Sequence, residues 1–195
     1  NVPSLAISEY NQALKLDPSL AEELHYRLGR AYFLNRQFDE ALAQYKLAIQ
    51  QDSSFAEAYL GLGNLYYWGN KFSEALWAYE QYLRLKPGDP SVLLNLGKMY
   101  FASHQYDQAI EKLSSALSAK SDRDGVYLLA QSYQETKQYP EAEKQYALYE
   151  KLVLESEPGY AWTKPDAEFW FKRGVTNFYV GDSASLDLSA KCFSK

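Results

Sequence analysis

The chain has 195 residues, 47% hydrophobic and 23% charged, a balance that excludes a disordered polymer and suits a folded one. Its 20 Lys and Arg against 25 Asp and Glu leave a formal charge of −5 with no basic block, so the electrostatic footprint of a nucleic-acid-binding protein is missing. One Cys and two His exclude an internal disulfide and a Cys/His zinc site, and no apolar run nears the roughly 20 residues that span a bilayer.

The opening Asn-Val-Pro-Ser-Leu has neither the basic head nor the apolar stretch of a signal peptide; localisation stays open, with the cytoplasm favoured. Residues 1–21 read as one helix: Ala6, Tyr10, Ala13, Leu16 and Pro18 match only the second half of the unit that the rest of the chain repeats. Gly29, Gly63, Gly97 and Ala130 stand 34, 34 and 33 residues apart. Leu28, Leu62, Leu96 and Leu129 keep that spacing, as do Tyr32, Tyr66, Tyr100 and Tyr133. Phe38, Phe72, Tyr106 and Tyr139 begin a second set, followed by Ala41, Ala75, Ala109 and Ala142, then Tyr45, Tyr79, Leu113 and Tyr146. The repeated positions account for much of the excess of 18 Tyr.

Within a unit the apolar residues have helical spacing. Tyr59, Leu62, Gly63 and Tyr66 form one stripe; Ala75, Leu76, Tyr79 and Leu83 form another after the polar break Gly69-Asn70-Lys71. Each unit is therefore predicted to be a helical hairpin, with Gly or Ala of the first helix facing Ala of the second. Such a hairpin cannot bury its apolar face alone, so neighbours must stack.

This pattern of a large residue, Leu-Gly, Tyr, Ala, an aromatic and a boundary Pro resembles the tetratricopeptide repeat (TPR), best in Tyr59, Leu62-Gly63, Tyr66, Ala75, Tyr79 and Pro87. The resemblance implies an all-α fold, a right-handed superhelical solenoid of antiparallel helix pairs. It divides residues 1–195 into a partial unit at 1–21, full units at 22–55, 56–89, 90–122 and 123–156, an inserted loop at 157–166, and an incomplete unit at 167–195. Trp170, Gly174 and Phe178 mark that unit's first helix. Its second is expected from about Ser189, after a lengthened turn around Gly181-Asp182-Ser183. A chain that starts and stops within units is expected to be cut from something longer.

No catalytic set emerges, so no enzyme, cofactor or metal is expected. His25 falls in a packing column, His104 in a turn, and Cys192 beside Phe193 reads as a small core residue. The acidic residues, Glu141, Glu143 and Glu150 among them, are read as solvent-facing. Binding is the better candidate. In this family the stripe on each first helix that faces away from its partner lines the usual ligand groove. Here that stripe supplies Tyr26, Arg30 and Phe33, then Asn64 and Tyr67, then Lys98 and Phe101, then Tyr127 and Gln131, with Asn95 alongside. Aromatics give contact area at low entropic cost, and Arg, Asn, Lys and Gln can bond a peptide. Phe33, Tyr67 and Phe101 are open to a second reading, as packing against neighbouring first helices. Tyr160 and Trp162 in the inserted loop are a possible further contact, or staple the loop to its helix.

Two family subtypes are disfavoured. The carboxylate clamp of the chaperone-binding members retains Asn64 and Asn95 but meets Leu60, Asp124 and Leu128 where it needs basic residues. The Asn ladder of the glycosyltransferase members meets Arg27, Gly61 and Leu128 in place of further Asn. The expected function is a non-catalytic scaffold binding a peptide segment of a protein partner. The alternatives are a module that self-associates through uncapped ends (Trp162, Trp170, Phe171, Phe193), or a regulatory or targeting segment of a larger protein. Neither nucleic acid nor membrane insertion is expected.

Overall fold

Apolar stripes separated by short polar breaks dictate helix after helix, and the computed structural model bears this out for residues 2–17, 20–157, 167–181 and 183–193, the part of the chain it describes. Those residues form eleven α-helices and no strand. In order they are α1 (Val2–Leu16), α2 (Ala21–Leu34), α3 (Phe38–Gln51), α4 (Ala56–Trp68), α5 (Phe72–Leu85), α6 (Pro90–Ala102), α7 (Tyr106–Ala119), α8 (Arg123–Glu135), α9 (Tyr139–Ser156), α10 (Ala167–Val180) and α11 (Ser183–Phe193). They divide into two compact bodies, Asn1–Asp89 and Pro90–Lys195. In the first, α1 packs on α2, α2 on α3, α3 on α4 and α4 on α5; in the second the same succession runs from α6 to α11.

Each seam is built on the repeated columns. Ala41, Ala75, Ala109 and Ala142 are wholly buried, as are Tyr79, Leu113 and Tyr146, with Tyr45 almost so. What stands nearest the glycines is the large residue one turn beyond the Ala column. A Cβ on Gly29 would stand 2.6 Å from the Tyr45 ring, on Gly63 2.5 Å from the Tyr79 ring, and on Gly97 2.5 Å from Leu113. The large residue of the second helix lies across the bare backbone of the first, and glycine is needed there for close approach. Gly61 does the same for Tyr45 from the next hairpin, at 2.5 Å, so that one ring is held between two helices.

Every turn between the helices of a full hairpin is made the same way. Arg36, Asn70, His104 and Lys137 have φ of 61, 56, 58 and 61°, the left-handed region. The following N–H reaches back to a carbonyl five residues earlier (Gln37 to Tyr32, Lys71 to Tyr66, Gln105 to Tyr100, Gln138 to Tyr133, at 2.8–2.9 Å). The left-handed residue's own N–H bonds a carbonyl three back. This is the Schellman closure, here without glycine at its left-handed position.

The last pair departs from the pattern. α10 ends at Val180 and α11 begins at Ser183, not near Ser189, so there is no room for a lengthened turn. The apolar columns are absent from residues 183–185, which hid the start of the helix. In α10 the Leu column becomes Arg173 and the Tyr column becomes Asn177; both are buried. Arg173 donates to Glu143 at 2.8 Å and to Glu150 at 2.5 Å, joining α10 to α9. These two glutamates therefore face a buried cation rather than open solvent. Burial alone would lower the Arg173 guanidinium's pKa, but the hydrogen bonds and charges of Glu143 and Glu150 outweigh it and raise it. Trp170 is also core, at 4% exposure, whereas Phe171 beside it is open.

Candidate functional site

The glycine seams pack α2 on α3 and α4 on α5, and the Tyr26 and Asn64 stripes lie on other faces of α2 and α4. In the first body those stripes converge. Tyr26, Arg30 and Phe33 of α2 and Leu60 and Asn64 of α4 line one cleft of about 200 Å³, with Tyr45 at its floor. The Arg30 guanidinium carbon lies 5.9 Å from the Tyr26 ring centre, within cation–π range. Arg30 is exposed and has no ion-pair partner among the described residues. Tyr26 is fixed edge-on against Phe55 (5.6 Å) and tilted against Tyr45 (6.2 Å). Asn64 accepts a hydrogen bond from the buried Tyr79 hydroxyl at 2.8 Å, which orients its amide. Burial pushes the Tyr45 hydroxyl well above its ordinary range, so the floor is neutral.

The aromatics Phe33, Tyr67 and Phe101 are each half-buried, and Phe33 and Phe101 pack on clusters that include Leu62 and Leu65 of α4 and Leu129 of α8, the neighbouring first helices. All three also pack edge-on against the first residue of the following helix: Phe33 on Phe38 (5.7 Å), Tyr67 on Phe72 (6.0 Å), Phe101 on Tyr106 (5.7 Å). The pairs bridge the left-handed turns.

In the second body the polar residues are more committed. Lys98 stands 3.9 Å from Asp122, whose side chain also caps α8 by accepting from Gly125 N–H at 2.7 Å. Asn95 is half-buried. Gln131 is turned inward, only 9% exposed, and is hydrogen-bonded to Tyr127. Burial first, then the charge of Glu168, pushes the Tyr127 hydroxyl up to about 12, with the Gln131 bond acting the other way. Lys172 Nζ lies 5.9 Å over the same ring. Tyr160 and Trp162 lie outside the described residues.

The remaining reactive types are occupied structurally. His25 Nδ1 is 2.7 Å from Gln44, His104 Nδ1 is 2.7 Å from the Tyr106 hydroxyl, and Cys192 is buried in the cluster around Tyr146 and Phe169. Among the described residues, no three His, Cys, Asp or Glu are grouped to hold a metal ion, and no helix is long and apolar enough to cross a membrane. Sequence reasoning passed over Arg173, although its offset from Gly174 places it in the Leu column.

Glycine-seamed hairpins stacked in succession define a helical-repeat protein, and known proteins agree. A family profile described as TPR repeat matches residues 29–69, and one described as anaphase-promoting complex, cyclosome, subunit 3 matches residues 68–147. No curated protein matches the sequence. Among solved structures, YrrB, described as a TPR protein with an unusual peptide-binding site, superposes with a TM-score of 0.76 at 23% identity, covering 95% of this chain and 91% of that one. The MamA protein gives 0.70 at 19% identity over 90% of each chain. PilF of Pseudomonas aeruginosa gives 0.67 at 19% identity over 97% of this chain and 81% of that one. The chain has the tetratricopeptide-repeat fold, and residues 29–69 match that family's profile. That fold is a protein–protein interaction scaffold, and the family is generally non-catalytic.

Proposed function

We infer that the chain is a non-catalytic scaffold that holds a peptide segment of a partner protein on its first-helix faces. The observation that carries this reading is the cleft between α2 and α4, where an exposed guanidinium without an ion-pair partner among the described residues stands over aromatic walls beside the Asn64 amide. Arg and aromatic side chains around a concave surface are the usual anchors of protein recognition. The likeness to YrrB, itself described as having a peptide-binding site, supports the reading. In the second body Asn95, Lys98, Phe101, Tyr127 and Gln131 extend it. Lys98 would exchange Asp122 for a ligand acid, while Gln131 would act by holding Tyr127. Tyr160 and Trp162 remain proposed contacts of the loop.

The test is affinity capture by wild-type protein beside Arg30→Ala/Lys98→Ala/Phe101→Ala, with circular dichroism showing that both fold. A partner held by wild type and lost from the variant is expected. Equal capture by both overturns the reading.

A second reading is self-association. Phe171, Phe178 and Tyr179 of α10 are 61, 59 and 57% exposed, and Val2, Leu5 and Leu16 of α1 are 83, 63 and 85% exposed. Apolar patches of this kind mark interaction surfaces. A molar mass independent of concentration by light scattering would remove it.

A further inference from the structure

We propose a second peptide-docking site, away from the first-helix groove, in the seam between the first two interhelical turns. The start of α3 and the end of α4 enclose a cleft of about 180 Å³ walled by Phe38, Leu42, Leu65 and Tyr66. It shares no residue with the groove cleft. Trp68 stands at its edge with 75% of its surface exposed, and Phe38 is 50% exposed. The volume is below the roughly 300–1,000 Å³ of small-molecule sites, so it suits a single large apolar side chain.

Two observations show that the fold does not require this cleft. The same seam recurs between α7 and α8, where the corresponding positions are Ser132, Glu135, Thr136 and Gln138 in place of Leu65, Trp68, Gly69 and Lys71. There the polar side chains are used within the protein: the Ser132 hydroxyl donates to the Leu128 carbonyl, and that of Thr136 bonds the Ser132 and Tyr133 carbonyls. Gly69 has an ordinary φ of −82°, and a Cβ there would meet only its own helix's carbonyls, at 3.4 and 3.6 Å. Its missing side chain relieves no strain; it keeps the mouth open.

The charges at the mouth state the occupant. Asp39 and Lys71 both line the cleft, and neither has an ion-pair partner among the described residues. The complementary ligand is a peptide segment of a partner protein that presents a large apolar side chain between a basic residue, for Asp39, and an acidic one, for Lys71. The apolar anchor supplies affinity and the charges set its direction.

The probe is a library of random peptides displayed on phage, selected on the intact 195-residue chain. Enriched sequences are expected to share that basic–apolar–acidic order. Their binding should fall at least about tenfold in Gly69→Met, which fills the mouth, and in Trp68→Ala, while Arg30→Ala leaves it unchanged. The exchange Asp39→Lys/Lys71→Asp should reverse the order of charges selected. Enriched peptides without the order, peptides lost in Arg30→Ala but kept in Gly69→Met, or no enrichment at all would each overturn the proposal. Thermal unfolding of every variant separates loss of binding from loss of fold.

Discussion

Tyr45 lies across Gly61 so closely that a methyl group on the glycine would stand 2.5 Å from the ring, and it lies across Gly29 at 2.6 Å. Alanine is the better helix former by about 0.8–1 kcal/mol, but overpacking a ring held on both sides costs about 1–3 kcal/mol. Since Tyr45 is 2% exposed and its ring is held between Gly29 and Gly61, the clash should win. Gly61→Ala is expected to lose roughly 1–2 kcal/mol in urea unfolding, with Gly69→Ala, which meets nothing closer than 3.4 Å, changed by less than about 0.5. An unchanged urea midpoint for Gly61→Ala would show that the ring yields.

The interhelical turns predict a gain. A left-handed backbone costs a residue with a Cβ about 1–2 kcal/mol, while glycine surrenders about 0.4–1 kcal/mol of unfolded-state entropy. Arg36→Gly and Lys137→Gly, both at exposed positions, should therefore each stabilise by roughly 0.5–1 kcal/mol. Thermal unfolding midpoints that fall in both variants would count against the argument.

Arg173 binds α9 through Glu143 and Glu150, with 5, 19 and 27% side-chain exposure respectively. Removing one partner of a buried pair costs about 3–5 kcal/mol, and here the lower end applies because the glutamates keep some water. Arg173→Leu restores the Leu column but strands two carboxylates, so it should destabilise. Adding Glu143→Leu should recover part of the loss. Additive losses, read from urea curves of the single and double variants, would show that the pair is not coupled.

Tyr82 and Tyr127 predict the alkaline limit. Burial, first of all, pushes both hydroxyls up to about 12, and Tyr82 also donates to Asp89 at 2.7 Å. The unfolded hydroxyls keep the ordinary value near 10. Below about pH 10 both states hold the proton and the stabilisation is fully present. Above it the unfolded chain ionises first, so stability is lost as pH climbs from about 10 to 12. The urea midpoint should fall across that window, and Tyr82→Phe/Tyr127→Phe should flatten the fall. A midpoint that holds steady to pH 12 would contradict this.

The repeat was legible because it is written in residue types at fixed spacing: the hairpins, the buried Ala column and the stripes that join Arg30 to Asn64 all derive from the period. What packs on a glycine did not. Spacing assigns Gly29 and Ala41 to one seam, but only the depth of the seam decides that the Tyr45 ring, rather than the Ala41 methyl, crosses the bare backbone. The left-handed turns were illegible for a different reason. Backbone hydrogen bonds fix them, and Arg36, Asn70, His104 and Lys137 share no side-chain chemistry. Glu143 and Glu150 look like solvent-facing acids on α9 until Arg173 is seen on the helix beside them. Phe33 could be placed on the stripe, but its pairing with Phe38 depends on how the turn folds back.

The tryptophans are distributed unevenly. Trp68 and Trp77, in the first body, are 75 and 49% exposed, while Trp170, in the second, is 4% exposed. Indole emission shifts to shorter wavelength when water is excluded, so the red edge of the spectrum belongs to one body and the blue edge to the other. With Trp162→Phe in the background, a soluble quencher would dim the red edge first. The two bodies then carry separate optical labels, and events at α4 can be followed apart from events at α10 without attaching a dye.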